Sequence, residues 1–325
     1  MINLVISNFF WELFSNYTLW KRLYEDLTKE TLKIIWDFIR LMEELSPRLG
    51  RIHLHLKSRR DHSYQFKITE FDTLHFEFNA EKGQLNKLIF SGGGIRDLQA
   101  SFTQAKNLNF LDLSLNHFES VPYALKEFKA LKWLDLSANH IQDLPAWMGS
   151  FPKLEKLLLR SNQLSNLPAE LGKLQSLRTL ELSNNKFPSF PECLYDLTRL
   201  TDLGIGYNQL SQIPEDIHRL QSLCSLYLAK NQITSFPIGL CELEDLKELN
   251  FALNQLREIP PCIHRLQDLR SLYLSGNQIR TIPEEFYRIK WLEKLDLRWN
   301  PLEISEAVIA RQLGLTYVDY NPYGI

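Results

Sequence analysis

No hydrophobic run in this sequence is long enough to cross a bilayer. The longest apolar stretch is MINLVISNFF at the start, short of the roughly 20 residues that a spanning helix needs. The same stretch does not read as a secretory signal. No basic segment precedes it, Glu12 follows soon, and no small-residue cleavage site appears. The expectation is a cytoplasmic chain without an integral membrane segment. An excess of one charge is lacking too: 37 Lys and Arg stand against 39 Asp and Glu, a formal net charge of −2 over 325 residues. Nucleic-acid-binding domains usually carry a basic balance or stripe, so no nucleic acid is expected as a partner.

The signatures of catalysis and cofactor binding are missing as well. Ser91-Gly92-Gly93-Gly94 lacks the Lys-Ser/Thr that completes a phosphate-binding loop. There is no HExxH and no CxxC pair, Asp61-His62-Ser63 is contiguous and reads as a turn, and residues 1–84 hold no cysteine to serve as a nucleophile. Two histidine groups are candidates for a ligand role, His53/His55/His75 and the column His218, Cys241, His264. The first is explained by the polar face of an alternating strand. The second shares its register with Lys126, Gly149, Gly172, Tyr195 and Tyr287, which reads as a tolerant surface position. The expectation is no metal, no cofactor and no enzyme. Cysteine is scarce, at four residues. Cys193 and Cys262 sit three repeats apart, about 14 Å at the spacing of stacked strands, beyond the roughly 7 Å limit of a disulfide. Free thiols in a reducing compartment follow, with Cys241 and Cys262 left open as a pair.

What the sequence does have is a repeat. Asparagine recurs every 23 residues from Asn116 to Asn300 without an insertion. Leucine opens each unit from Leu108 to Leu292, and a second comb runs from Leu111 to Leu295. A third runs from Leu113 to Leu297, interrupted only by Ile205 and Phe251. Eight of the fourteen prolines share one further register, from Pro122 to Pro283. A degraded copy, LNKLIFSGGGIRDL, precedes these at 85–98 with Gly93 in the asparagine place.

The unit LxxLxLxxNx(L/I/F)xx(L/I/F/V)PxxLxxLxx resembles the leucine-rich repeat of the 23-residue Leu-Pro type. Such repeats occur in intracellular Ras-suppressor and scribble/erbin-like scaffolds and in bacterial repeat proteins. The resemblance spans 85–302 and implies scaffolding or signalling through protein partners. The residues point to the same fold without it. LxxLxL places alternate side chains on one face of a short strand, and no single unit can bury that face, so units stack. The expected fold is an α/β solenoid of about ten units with a curved parallel sheet on its concave face and irregular or 3-10 turns on its convex face. A buried asparagine would satisfy turn backbone groups, and the prolines would sit where no ladder donor is needed.

The ends do not repeat. In residues 1–84, helical spacing links Phe10, Leu13, Phe14, Tyr17, Trp20, Tyr24 and Leu27, then Leu32, Ile35, Trp36, Ile39, Met42 and Leu45. Three alternating runs at 51–58, 64–70 and 73–79 read as an antiparallel meander. The expected organisation is an N-terminal α+β cap at 1–84, the array at 85–302 and a C-terminal cap at 303–325 holding a short helix and a final strand. The alternative gives 1–84 a separate effector activity directed by the repeats, although its 12 basic and 12 acidic residues point to no polyanion.

The variable residues between the leucines are expected to face solvent from the concave sheet. Phe110, Asp112, Trp133 and Asp135 form one candidate cluster. Tyr207, Tyr227, Tyr273, Arg298 and Trp299 spread across the later half as a second, and Arg160 is a further candidate contact residue. Tyr, Trp and Arg are the types enriched at interface hot spots, so the expected partner is a protein or peptide. Gly204 and Gly206 leave bare backbone beside Tyr227, either for a partner's close approach or as room for the tyrosine. The acidic residues Asp112, Asp135, Glu181, Asp202, Glu248 and Asp296 suggest some basic surface on that partner. The oligomeric state is not legible.

Overall fold

A computed structural model of the chain describes residues 53–58, 64–70, 74–81, 84–98 and 105–314. The helical spacings of residues 10–45, the turn at Asp61-His62-Ser63 and the expected final strand lie outside the described residues. The chain divides into two compact units, Met1–Ile141 with Ser150–Glu155, and Gln142–Gly149 with Lys156–Ile325.

In the first unit, β1 (His53–Ser58), β2 (Tyr64–Glu70), β3 (Leu74–Glu81) and β4 (Gln84–Ser91) form an antiparallel meander. The three alternating runs thus become strands, and a fourth joins them from the degraded repeat. β4 then pairs in parallel with β5 (Phe110–Asp112), and β5 with β6 (Trp133–Asp135). One strand therefore ends the meander and starts the repeats. The register sets Thr69 opposite both His53 and His75, and Lys67 opposite His55 and Glu77. His75 is adjacent in register to neither histidine of β1.

In the second unit, β7 (Lys156–Leu158), β8 (Thr179–Glu181), β9 (Asp202–Gly204), β10 (Ser225–Tyr227), β11 (Glu248–Asn250), β12 (Ser271–Tyr273) and β13 (Lys294–Asp296) pair in parallel in chain order. The central leucine of each strand is buried, as is the apolar residue two positions on. A helix, α1 (Glu306–Gln312), follows the last repeat and buries Ile309.

Each strand from β5 to β13 has three residues because the chain then turns through a left-handed residue. Leu115, Ala138, Ser161, Asn184, Tyr207, Lys230, Leu253 and Trp299 all hold φ between 53° and 58°, and Gly276 sits at 65°. No β-branched residue occupies this column, as its steric cost requires. The ladder still continues across the turn, since Tyr207 N–H donates to the Ala229 carbonyl at 2.7 Å and Lys230 N–H to that of Ala252 at 2.8 Å.

The asparagine column closes the turn. The Asn208 amide donates to the carbonyls of Leu182, Ile205 and Gly206 at 3.0–3.1 Å, and its oxygen accepts the Phe187 amide at 3.0 Å. Leu182 and Phe187 belong to the preceding repeat. Asn116, Asn139, Asn185, Asn231, Asn254, Asn277 and Asn300 likewise reach a carbonyl 26 residues back.

On the opposite side each of the eight repeats from Pro122 to Pro283 makes a 3-10 turn opened by its proline, whose carbonyl accepts the amide three residues on, as in Leu171 N–H to Pro168 O at 3.0 Å. Glu215 ties two such turns, accepting Ile238 N–H at 3.2 Å and Gly239 N–H at 2.5 Å.

Two expectations for this side are corrected. Cys241 and Cys262 form a disulfide with Cα atoms 5.8 Å apart, and only Cys193 and Cys224 are free. Residues 21 apart lie in successive stacked turns, so the distance that excludes Cys193–Cys262 does not exclude this pair. The four-thiol argument for a reducing compartment therefore falls away. The register of His218, Cys241 and His264 is not a tolerant surface either. Gly149, Gly172, Tyr195 and Cys241 are buried there. A Cβ at Gly149 would lie 1.9 Å from the Glu170 carbonyl oxygen, so backbone contact demands glycine.

Asn208→Ala should lower unfolding stability by about 2–4 kcal/mol, because it strands buried backbone groups that each cost about 1–3 kcal/mol unsatisfied. Gln232→Ala, at an exposed position, should change it by less than about 0.5 kcal/mol. Urea denaturation of both variants checks the contrast.

Candidate functional site

The strand face of the first unit carries Lys87, Phe110 and Trp133 side by side in register on β4, β5 and β6. The Phe110 and Trp133 rings pack with centroids 4.6 Å apart, and the Lys87 ammonium lies 5.0 Å from the Phe110 centroid. Both rings are half-buried. Next to them Leu115, in its left-handed turn, stands 55% exposed.

Asp112 and Asp135 share this face but have a structural task. Each carboxylate accepts the amide two residues on, from Ser114 at 2.9 Å and Ser137 at 2.8 Å. In the second unit Glu181 does the same for Ser183 at 2.7 Å, and Asn250 for Ala252 at 2.9 Å. Asp112, Asp135 and Glu181 thus brace the strand ends, while Asp202 and Glu248, in the column two residues earlier, are exposed.

In the second unit the face is organised around β9. Gly204 ends β9 and Gly206 follows two residues later; neither has a side chain, and both neighbours lean in. The Glu181 carboxylate from β8 lies over Gly204, where a Cβ would come 2.2 Å from its Oε2. The Tyr227 ring from β10 lies over Gly206, where a Cβ would come 2.5 Å from its Cε1. The bare backbone seen in the sequence is thus room for this chain's own side chains.

Burial pushes the Tyr227 phenol up to about 12, with the neighbouring Tyr207 and Glu181 adding to the rise and Arg160 opposing it. Arg160, Glu181, Tyr207 and Tyr227 therefore form one electrostatic group. The Lys230 ammonium lies 4.9 Å from the Tyr207 ring centroid. The Ser183 hydroxyl is buried with no hydrogen-bond partner.

At the far end of this unit Arg298 and Trp299 follow β13. Two parallel hydrogen bonds of 2.7 Å join Arg298 to Asp296, and its guanidinium lies 5.7 Å from the Trp299 centroid. Burial raises the Asp296 carboxyl, but hydrogen bonds from Arg298 and Ser275 and the Arg298 charge outweigh it, leaving it below the ordinary carboxylate range. Trp299 is 63% exposed. Tyr273, half-buried, stands in register between Asn250 and Asp296.

The two sequence clusters thus fall one in each unit, and the second separates further into Tyr207 with Tyr227, which Arg160 joins, and Arg298 with Trp299. Lys87, Leu115, Ser183, Lys230 and Leu253 share these faces and were not singled out as contact residues. Their signal was the column before each asparagine, where a left-handed residue turns two successive side chains outward. On the turn side, Cys241 is consumed by the disulfide, and the Nδ1 atoms of His218 and His264 sit 2.8 and 2.7 Å from backbone carbonyls. Among the described residues no group of three His, Cys, Asp or Glu side chains is arranged to hold a metal, and no helix is long and apolar enough to cross a membrane.

Two family models match the chain: a leucine-rich repeat region over residues 149–259, and the leucine rich repeat over 83–141 and 246–302. Among solved structures, a leucine-rich repeat protein of Leptospira interrogans is 31% identical, with a TM-score of 0.66 over 70% of this chain and 64% of that one. A TDR receptor is 24% identical, with a TM-score of 0.62 over 67% of this chain and 40% of that one. Internalin C2 of Listeria monocytogenes is 24% identical, with a TM-score of 0.51 over 61% of this chain and 81% of that one. The chain spans less than two thirds of the length of the first two. No curated protein matches it.

Two titrations follow from this geometry. Tyr227 is protonated more firmly folded than unfolded, so its contribution to stability is complete below pH 10 and disappears as the pH rises through about 12. Phenolate absorbance should show a late-ionising tyrosine that Tyr227→Phe removes. Asp296 has the opposite sign: its contribution is present above the unfolded carboxylate pKa near 4 and vanishes as the pH falls through its lower folded value. Arg298→Gln should cost about 2–3 kcal/mol at pH 7 and flatten the loss of stability on acidification, as followed by thermal melts from pH 7 to pH 2.

Proposed function

We propose that this chain, which belongs to the leucine-rich repeat family, is a non-catalytic interaction module that binds a protein or peptide on the strand face of its repeats. Leucine-rich repeat arrays are typically interaction modules. The observation that carries the finer reading is the left-handed column. A left-handed conformation costs a non-glycine residue about 1–2 kcal/mol, and glycine or asparagine would relieve it. Yet this column holds Leu115, Leu253 and Trp299 outward, each exposed to solvent. Large apolar side chains kept in water at a strained position gain little from folding, and a partner that covers them supplies the gain. Phe110 and Trp133 lie on the strand face of the first unit, and Tyr207, Tyr227 and Tyr273 on that of the second.

A scaffold or signalling role follows from such a module. The Cys241–Cys262 disulfide is of a kind that persists in oxidising surroundings, which counts against the cytoplasmic location expected from the thiols.

The test compares the wild-type chain with a Tyr273→Ala/Trp299→Ala variant in affinity capture from the source organism's lysate, after thermal melts confirm that both are folded. A protein retained by the wild type and lost by the variant supports the strand face as the binding site. Equal retention by both overturns it.

A further inference from the structure

Just beyond the strands of the second unit, one row of residues crosses the repeats: Arg160, Ser183, Gly206, Ala229, Ala252, Ser275 and Arg298. The five interior members are small and buried. An arginine stands at each end, six strand spacings apart, which is about 29 Å at the usual spacing and matches an extended peptide of about nine residues.

The two arginines are not equivalent. Arg298 has Asp296 two residues before it and is held by two hydrogen bonds of 2.7 Å, so its charge is spent within the chain. The corresponding residue before Arg160 is Leu158. Among the described residues no carboxylate forms an ion pair with Arg160, and its side chain is exposed. Its surroundings are rich in donors. Ser183, next in the row, buries a hydroxyl with no partner, which is costly unless something outside the chain supplies one. The Lys230 ammonium lies 4.9 Å from the Tyr207 ring centroid. The nearest acid of the group, Glu181, is committed to the Ser183 amide and lies over Gly204.

We infer that Arg160, with Ser183, Tyr207 and Lys230, is the subsite that receives an acidic side chain of an extended peptide lying along this row, and that Arg298 is a brace without a ligand. This rests on the strand-face reading above and names the partner's chemistry: one Asp or Glu set near the β7 end of the segment. A guanidinium prefers a carboxylate because two parallel hydrogen bonds add to the charge attraction.

The experiment displays random nine-residue peptides on phage and selects them on the full chain, on Arg160→Glu, on Arg298→Gln and on Tyr227→Ala, all verified as folded by thermal melts. The wild type should enrich Asp or Glu at one position at least tenfold. Arg160→Glu should abolish or invert that preference, and Arg298→Gln should retain it. A selected peptide should bind Arg160→Glu at least tenfold more weakly than wild type, and its Asp→Asn or Glu→Gln version should lose as much on the wild type. Selection that depends on Tyr227 but shows no acidic position, or a basic one, overturns this inference and leaves the binding face standing. An acidic preference lost in Arg298→Gln and kept in Arg160→Glu also overturns it. No enrichment on the wild type overturns both readings.

Discussion

The buried asparagine amide is the interaction on which the repeats depend. A chain that turns sharply after a three-residue strand leaves carbonyl and amide groups facing the core, where no water reaches them. One side chain with two donors and one acceptor answers this in every repeat. Asn208 bonds its own turn through Ile205 and Gly206 and the preceding turn through Leu182 and Phe187. The same amide therefore closes a turn and joins two repeats. This accounts for a spacing of 23 residues without an insertion: an added residue would move the amide away from its partners in the neighbouring repeat.

The surface follows from that turn. Closing the chain on the asparagine requires a left-handed residue just before it, and this residue breaks the alternation of the strand. Two successive side chains then face outward, the second at a strained φ. The first of the two lies in the buried row of small residues across the second unit, and the second supplies Leu253, Lys230, Tyr207 and Trp299. Backbone geometry in this way sorts the face into a floor and a rim. Gly204 and Gly206 carry the sorting further, since Glu181 and Tyr227 take the space over them.

Charge on the face is governed by what lies two residues earlier in the chain. Asp112, Asp135, Glu181 and Asp296 each hold an amide two positions on. Acidic residues that look like a recognition surface are thus partly bound to the backbone, and Arg298 is neutralised by one of them. Arg160 follows Leu158 and keeps its charge. A difference of one residue between otherwise equivalent repeats decides which arginine faces outward unpaired.

The sequence by itself determined the period, the buried leucine combs, the asparagine column, the turn prolines and the three meander strands. Each of these is a local pattern whose physics is the same wherever it occurs. Alternation along a strand also located Tyr227, Tyr273, Arg160 and Arg298 on its outward side, whereas Tyr207 and Trp299 face outward only because the left-handed turn breaks that alternation. Tertiary structure alone decided what those side chains do. The left-handed column arises from closing each turn on its asparagine, and no residue type announces it. The Cys241–Cys262 bond depends on how successive turns stack, and the glycine-only positions at the turns depend on a carbonyl from the next repeat. The unequal standing of Arg160 and Arg298 is settled by side-chain geometry at the strand ends, which the pattern of leucines does not encode.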